Sequence, residues 1–264
     1  MTTPTPPLFH LTRGQAPILV SLPHSGTYLP PEIAARMSDV AKTVPDTDWH
    51  VPRLYSFLDA MGASRLEATH SRYVTDLNRP PDDQELYAGQ KKTGLVPVDT
   101  FAGQPLYLEG QMPDADEIIR RRKYWQPYHD ALATEVSRLK AIHGSIVLWD
   151  AHSIESTLPS LFEGRLPDLN IGTFDGKSCD TDMAEAAFEA AKASGFSAVL
   201  NGRFKGGYIT RHYGAPKKGV HTIQLEMAQA IYMTEGPPFT FRPEPAAKVT
   251  TTIRAMIKAV LGTM

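Results

Sequence analysis

The sequence predicts an α/β fold, a three-layer α/β/α sandwich with a mostly parallel, mixed sheet at its centre. Two short apolar runs, residues 18–22 and 145–149, have the composition of strands that are buried on both faces. Helical patterns of apolar residues alternate with such runs along the chain, as is typical of α/β proteins. No Ser/Gly-rich linker and no internal repeat interrupts the 264 residues, so we expect one domain over residues 1–264.

Composition excludes several classes of protein. Hydrophobic residues make up 42% and charged residues 21% of the chain, which is enough for a sizeable core and does not indicate disorder. The net charge of −2 predicts no binding to nucleic acid or to an anionic membrane. The single cysteine, Cys179, excludes an internal disulfide and a thiolate metal site. No signal peptide and no apolar stretch of ~20 residues is found, so we expect a cytoplasmic protein.

The first half of the chain alternates loops with short predicted elements. Residues 1–16 are predicted to be a loose, proline-rich segment that precedes the first strand. A helix is predicted after residue 50 and ends at Gly62, because Leu54, Phe57, Leu58 and Met61 share one face. Residues 64–69 and 72–77 are predicted to be extended. Residues 80–112 are polar and rich in Gly and Pro, which predicts long loops over one face and a candidate lid.

The second half contains the more regular pattern. A long helix is predicted to begin at Asp114 or Asp116 and to end at Gly144, just before the 145–149 strand. A loop region over 154–178 follows, and then a helix capped by Thr181 or Asp182 that ends at Gly195. The remaining predicted elements are strands at 197–200 and 220–227 and a last amphipathic helix over 246–262.

Two histidines follow predicted buried strands. His24 comes just after the first strand and His152 just after the second. Ligands of open α/β sheets bind beyond the carboxyl ends of the strands, so we expect both imidazoles near one site. A hydrolytic zinc takes three protein ligands, commonly two histidines and a carboxylate. Asp48 is the predicted carboxylate, with Asp46 as its alternative. The competing interpretation is that the histidines only form hydrogen bonds in loops and that the aspartates cap helices.

Glu226 is the predicted general base. Alternation in the last strand places Thr222, Gln224 and Glu226 on one side. A carboxylate at the end of an apolar strand needs a partner, and a metal site would supply one. The alternative is an ion pair with Arg211. Asp150 could orient His152 through a hydrogen bond, or could bond to nearby backbone.

Cationic side chains concentrate near the predicted crevice and indicate a small anionic substrate. Arginine binds carboxylates through a bidentate fork, although loop arginines are more often solvated. These side chains are Arg72, Arg79, Arg203, Lys205 and Arg211. Gly206-Gly207 is not a P-loop, because the strand–GxxxxGK–helix pattern of such a loop is absent. The serines beside His24 and His152 lie in no GxSxG motif, which disfavours a serine hydrolase.

Six short motifs occur in the order that is found in one known family. They are Pro23-His-Ser-Gly26, Asp46-Thr-Asp-Trp49 with Arg53-Leu-Tyr55, Ser71-Arg-Tyr-Val-Thr-Asp-Leu-Asn-Arg79, Asp150-Ala-His-Ser153, Asn201-Gly-Arg-Phe-Lys-Gly-Gly207 and Gln224-Leu-Glu-Met227. In these motifs the chain resembles the N-formylglutamate amidohydrolase family, from about residue 8 to about residue 260. The resemblance implies a fold similar to the zinc carboxypeptidases and aspartoacylase.

The resemblance also implies roles for individual residues. His24 and His152 would bind zinc or another divalent metal, and Glu226 would act on the water. Asn78 and Arg79 would hold a substrate carboxylate, so that the full predicted substrate-binding set is Arg72, Asn78, Arg79, Asn201, Arg203 and Arg211. The related enzymes place a glutamate ligand three residues after the first histidine. Position 27 here is Thr, so the third ligand must come from elsewhere, and Asp48 is an inference.

The implied activity is hydrolysis of N-formyl-L-glutamate to formate and L-glutamate, the last step of a histidine-degradation route. Two alternatives remain open from the sequence. The first is an amidohydrolase for another N-acyl amino acid, such as N-formyl-aspartate. The second is a non-catalytic protein that binds small carboxylates on the same scaffold.

Overall fold

A mixed seven-stranded sheet forms the centre of the protein in the computed structural model, which describes residues 5–83 and 94–264. The strand order is β1-β3-β2-β4-β7-β5-β6. The strands are β1 Phe9–Thr12, β2 Ile18–Leu22, β3 Ser64–Ala68, β4 Ile146–Ile154, β5 Leu169–Gly172, β6 Ala198–Leu200 and β7 Val220–Ala228.

The four central strands are parallel, which brings their carboxyl ends to one edge. β3, β2, β4 and β7 pair in parallel, and β5 pairs in parallel with β6. β1 runs antiparallel to β3, and β5 runs antiparallel to β7. The polar residues that follow β2 and those that end β4 and β7 therefore lie close together.

Seven α-helices flank the sheet in the described part of the chain. They are α1 Pro31–Ala34, α2 Asp39–Lys42, α3 Val51–Leu54, α4 Ala115–His143, α5 Thr181–Ala193, α6 Tyr208–Tyr213 and α7 Pro243–Leu261. None of the helices in the described residues combines the length and the apolar character that crossing a membrane requires.

Alternation along β4 divides its side chains between two layers of helices. Val147, Trp149 and Ala151 pack in the core that contains α3, α5 and α7. Ile146 and Leu148 pack against α4 on the opposite face. Successive side chains of a strand point to opposite faces, so the side chains of residues 150 and 152 follow on the α4 face. The predicted three-layer α/β/α sandwich with a mixed, mostly parallel sheet is confirmed.

The structure defines several helix ends more closely than the sequence did. Asp114 caps α4, because its side chain accepts a hydrogen bond from the Glu117 backbone N–H at 2.7 Å. The residue that precedes α5 is Asp180, so neither Thr181 nor Asp182 is its cap. The helix predicted after residue 50 is broken into α3 and a 3₁₀ segment, Ser56–Met61. Gly62 ends this segment as predicted, with a left-handed φ of 65° that glycine tolerates.

Three other predictions about local structure were wrong. Residues 72–77 were predicted to be extended, but residues 72–74 form a turn in which the Val74 N–H donates to Ser71 O, and the Arg72 side chain donates to Asp76 Oδ2. Residues 9–12, predicted to be loose, form β1, which gains order by pairing with β3. The predicted loop over 154–178 contains β5, which pairs through all four of its residues with β7 and through three of them with β6.

The candidate lid lies partly outside the described residues. Residues 84–93 of the predicted 80–112 loop region are not described. Residues 94–112 form loops that contact the domain core, where Leu95 and Leu106 are buried. The Phe101 backbone N–H donates to Asp46 Oδ2 at 2.8 Å, which holds this loop beside the end of the sheet.

Candidate metal centre

His24, Asp48 and His152 meet at the carboxyl edge of the sheet. Their ligand atoms all lie within 4.8 Å of one another, and all three side chains are buried. Asp48 Oδ2 lies 3.1 Å from His152 Nδ1 and 3.9 Å from His24 Nδ1. The structure therefore brings the three predicted ligands together, with Asp48 in the cluster and its alternative, Asp46, outside it.

Each ligand is positioned by a different element. His24 follows β2 by two residues, and His152 lies within β4, which extends five residues beyond the predicted end at Trp149. Asp48 lies in the loop before α3, where its backbone N–H donates to His24 O at 2.9 Å. This bond ties the Asp48 loop to the end of β2 and fixes the carboxylate beside both imidazoles.

A second carboxylate contacts the far nitrogen of each imidazole. His24 Nε2 lies 2.7 Å from Asp76 Oδ1, and His152 Nε2 lies 3.1 Å from Asp150 Oδ2. A histidine that binds a metal through one nitrogen typically donates its other N–H to a carboxylate, which fixes the tautomer and the ring orientation. Both imidazoles thus present Nδ1 to Asp48 and Nε2 to a supporting carboxylate.

Asp76 belongs to the candidate site by its contacts, but the sequence did not single it out. It lies between two turns, in the segment that was predicted to be extended, two residues before Asn78. Arg72 Nη2 donates to Asp76 Oδ2 at 2.8 Å, and the Arg72 guanidinium lies 4.6 Å from the centre of the Phe101 ring. Burial opposes the charge of Asp76, but His24 and Arg72 hold the pKa of this carboxyl well below its usual range.

The two imidazoles differ in their electrostatic surroundings. Burial, followed by the charge of Arg72, lowers the pKa of His24, so this ring is neutral and available as a ligand. Burial also opposes the charge of His152, but Asp150 and Asp48 outweigh burial and raise the pKa of His152 well above its ordinary value. The surroundings of His152 therefore favour its charged form.

The donor atoms fit a divalent metal ion. Two imidazole nitrogens and one carboxylate oxygen form the ligand set of many hydrolytic zinc sites. Asp48 Oδ1 is buried and has no hydrogen-bond partner among the described residues. A buried carboxylate oxygen without a partner is costly, and a bound cation would remove that cost. The alternative of purely hydrogen-bonding histidines leaves this oxygen unexplained.

Glu226 lies beside the candidate metal ligands. It is the register partner of His152 across the β4–β7 pair, and only 7% of it is exposed. Burial, which outweighs the opposing charge of His152, raises the pKa of Glu226 to about 8. Gln224 Nε2 donates to Glu226 Oε2 at 3.3 Å, and the Gly207 N–H donates to Gln224 Oε1 at 2.7 Å. Gln224, which the sequence placed on the same strand face, thus orients the carboxylate.

Eight of the ten predicted site residues line one cavity of about 110 Å³ at this edge of the sheet. They are His24, Asp48, Arg72, Asn78, Arg79, His152, Arg203 and Glu226. A volume of this size exceeds by several-fold what one water molecule requires. Arg203 makes no ion pair with any residue in the ranges 5–83 and 94–264, and its Nε is buried without a hydrogen-bond partner there. A cation in this state suits an anionic ligand.

The structure places Asn201 and Arg211 outside the lining of this cavity. Asn201 has a left-handed φ of 52°, and its side chain bonds to the Thr173 backbone N–H and to Thr173 Oγ1, each at 2.8 Å. Arg211 lies on α6, where Nε donates to Gly206 O and the guanidinium lies 4.4 Å from the centre of the Phe174 ring. In the described residues these contacts hold both side chains against neighbouring loops, and their roles in substrate binding stay predictions.

Comparison of the amino-acid sequence with known proteins finds one family model and relatives that carry the same name. A family model described as N-formylglutamate amidohydrolase matches residues 16–233. An N-formylglutamate deformylase from Pseudomonas aeruginosa is 52% identical over 253 residues, which cover 95% of this chain and 94% of that protein. An N-formylglutamate deformylase from Pseudomonas putida is 48% identical over 259 residues, which cover 96% and 95%.

Comparison with solved structures gives the same fold. A crystal structure of an N-formylglutamate amidohydrolase from Ralstonia eutropha JMP134 matches with a TM-score of 0.80 and 24% identity, over 97% of this chain and 96% of that one. A gene product from Agrobacterium tumefaciens matches with a TM-score of 0.72 and 18% identity, over 97% and 95%. On the family model and the two close relatives, this chain belongs to the N-formylglutamate amidohydrolase family.

Proposed function

We propose that this protein hydrolyses N-formyl-L-glutamate to formate and L-glutamate, using a divalent metal, with zinc as the first choice. The observation that supports it most is the cluster of His24, Asp48 and His152 with Glu226 beside it in one cavity. The two Pseudomonas relatives carry the name of this activity. The proposed reaction would be the last step of a histidine-degradation route.

The proposed chemistry divides between the metal and the protein. A metal held by the three ligands would polarise the formyl oxygen and make water more acidic. Glu226 is the group that accepts a proton from the attacking water and delivers it to the nitrogen of the leaving amine. Water adds to the formyl carbon, the C–N bond breaks, and the products are formate and the free amino group of glutamate.

The arginines of the cavity would supply substrate recognition. A formyl group offers little surface, so the two carboxylates of the substrate must provide most of the binding free energy. Arg79 and Arg203 line the cavity, and a guanidinium binds a carboxylate through two parallel hydrogen bonds. The guanidinium of Arg72 also lines the cavity but is bound to Asp76, so we propose that it mainly supports the His24–Asp76 pair.

The direct test is formate release from N-formyl-L-glutamate by the wild type and by Glu226→Gln, each with and without a chelator. We expect chelation to abolish turnover and zinc to restore it. Loss of a general base costs about 10²–10⁴-fold, so Glu226→Gln should lower kcat to that extent while it retains zinc. Glu135→Gln is the matched control, because Glu135 is a buried carboxylate paired with Ser64 and Arg138, away from the cavity. Chelator-resistant turnover would contradict the proposal.

A substrate panel separates the proposed activity from its alternatives. N-formyl-aspartate is one methylene shorter than N-formyl-glutamate, and N-acetyl-glutamate carries a larger acyl group. We expect the highest kcat/KM for N-formyl-glutamate. A higher kcat/KM for either analogue would reassign the substrate, and binding of all three without formate or acetate release would indicate a binding protein.

A further inference from the structure

We propose that Asn78 is a positioning residue, which holds Asp150 against His152, and not a ligand of a substrate carboxylate. The main measurement that tests this role is the affinity for zinc, which needs no substrate. Only the second measurement, the kinetics with N-formyl-glutamate, rests on the proposed function. The resemblance to known amidohydrolases pairs Asn78 with Arg79 as a carboxylate grip. The contacts of the Asn78 side chain indicate a different role.

Both polar atoms of the Asn78 amide are engaged by the protein. Nδ2 donates to Asp150 Oδ2 at 3.2 Å and lies 2.9 Å from His152 Nε2. Oδ1 accepts a hydrogen bond from the Ile209 backbone N–H at 2.7 Å. Only 4% of Asn78 is exposed. The Ile209 N–H can only donate, so it fixes Oδ1 on its side and directs the NH₂ group toward Asp150.

Asp150 needs this donor. Its side chain is fully buried, and Oδ1 has no hydrogen-bond partner among the described residues. Asp150 Oδ2 therefore receives the side-chain contacts that hold the carboxylate, from Asn78 and from His152 Nε2. Leaving a buried carboxylate without such a donor is costly. Without Asn78, Asp150 is free to rotate away from His152, and the imidazole loses the partner that fixes its orientation.

The backbone around Asn78 is held as firmly as its side chain. The Asn78 N–H donates to Asp76 Oδ1 at 2.9 Å, and the Tyr208 N–H donates to Asn78 O at 3.3 Å. The carbonyls on either side accept from helix α4: Leu77 O from His129 Nε2 at 2.8 Å and Arg79 O from Trp125 Nε1 at 2.9 Å.

The short segment from Asp76 to Asn78 thus supports both imidazoles of the candidate metal centre. Asp76 contacts His24, and Asn78 holds the Asp150–His152 pair two residues further along the chain. Asn78 donates to the carboxylate that contacts His152, as Arg72 donates to the carboxylate that contacts His24. A substrate carboxylate could reach the Asn78 amide only by displacing one of these contacts.

Gly207 offers a way to disturb the amide without removing it. A Cβ on Gly207 would lie 2.4 Å from Asn78 Nδ2, and Asn78 supplies the three atoms closest to that Cβ. The φ of Gly207 is −81°, outside the left-handed region that favours glycine. Gly207→Ala should therefore push the amide away from Asp150 while every polar group stays in the chain.

The experiment measures zinc affinity by competition with a chromophoric chelator, together with KM and kcat for N-formyl-glutamate. For Asn78→Ala we expect the Kd for zinc to rise about 10–100-fold, the usual effect of losing a supporting partner of a metal ligand. At saturating zinc, KM should change by less than about threefold. Arg203→Ala is the control, with a raised KM and an unchanged Kd for zinc. An unchanged Kd for Asn78→Ala with a strongly raised KM would overturn the proposal.

A double-mutant cycle keeps the test decisive if one variant folds poorly. Gly207→Ala should raise the Kd for zinc in the same direction as Asn78→Ala. In the double variant the two effects should not add, because the side chain through which Gly207→Ala acts is gone. Additive effects on the Kd, or no effect of Gly207→Ala, would count against the proposed role. Circular dichroism identifies unfolded variants, and for them Asn78→Ser replaces Asn78→Ala, with the same expected rise in the Kd.

Discussion

The buried carboxyl of Glu226 should make the metal-free protein less stable as the pH rises. Its pKa is 4.5 in the unfolded chain and about 8 in the folded protein. Between these values the folded state binds a proton that the unfolded state has released, so the free energy of unfolding falls with increasing pH. The loss amounts to about 1 kcal/mol at pH 5 and about 5 kcal/mol at pH 9, where 1.36 kcal/mol corresponds to a tenfold change.

Glu226→Gln removes the titrating group and should remove this loss. The assay is urea unfolding of the wild type and of Glu226→Gln between pH 5 and pH 9, with a chelator present. We expect the difference in unfolding free energy to shift in favour of Glu226→Gln by about 4 kcal/mol over this range. A bound cation near the carboxyl lowers its pKa, so excess zinc should reduce the shift. A difference that stays constant with pH would refute the reasoning.

Three further predictions concern the metal centre. Asp48→Asn should abolish high-affinity zinc binding, whereas Asp46→Asn should retain it. Metal content after dialysis measures both, and equal loss of zinc in the two variants would contradict the assignment of Asp48. Zinc binding should release a proton from His152, whose pKa is raised well above its ordinary value, so the affinity for zinc should increase with pH through neutrality. Calorimetry in buffers of different ionisation enthalpy counts this proton, and a buffer-independent heat would argue against it. Gln224→Leu should lower kcat by about tenfold or more, because 1.4 kcal/mol from one lost hydrogen bond corresponds to that factor, with an unchanged Kd for zinc.

The parts of the fold with a strong periodic pattern could be predicted from the sequence. β2, β4, β7, α4 and α7 are apolar runs or amphipathic helices whose pattern directly reports burial. β1 and β5 could not be predicted, because each has only four residues and depends on pairing with a neighbouring strand. Their antiparallel partners, β3 and β7, lie more than 50 residues away along the chain.

The residues of the site that adjoin predicted strands could also be predicted from the sequence, whereas those whose contacts depend on distant segments could not. His24, His152 and Glu226 follow or end recognisable strands, so the edge of the sheet that they share could be predicted. The place of Asp76 could not be predicted, because it lies in a segment of turns that the sequence predicted to be extended. Asn201 lies in a motif of the family, but only the structure shows that its side chain bonds to Thr173.

The positions of the three candidate ligands in the sequence predict that the protein folds before it binds the metal. His24, Asp48 and His152 are separated by 24 and 104 residues, and only the completed sheet brings them together. The cores on the two faces of the sheet contain none of these ligands. Contacts within the protein hold the Asp48 loop, including the bond from the Gln229 side chain to Thr47 O at 3.0 Å and the bond from the Asp48 N–H to His24 O. We therefore expect chelation to abolish activity while the far-ultraviolet circular dichroism spectrum is retained, whereas in a zinc finger the metal is needed for folding itself. Loss of the spectrum on chelation would show that the ion, and not the sheet, assembles the site.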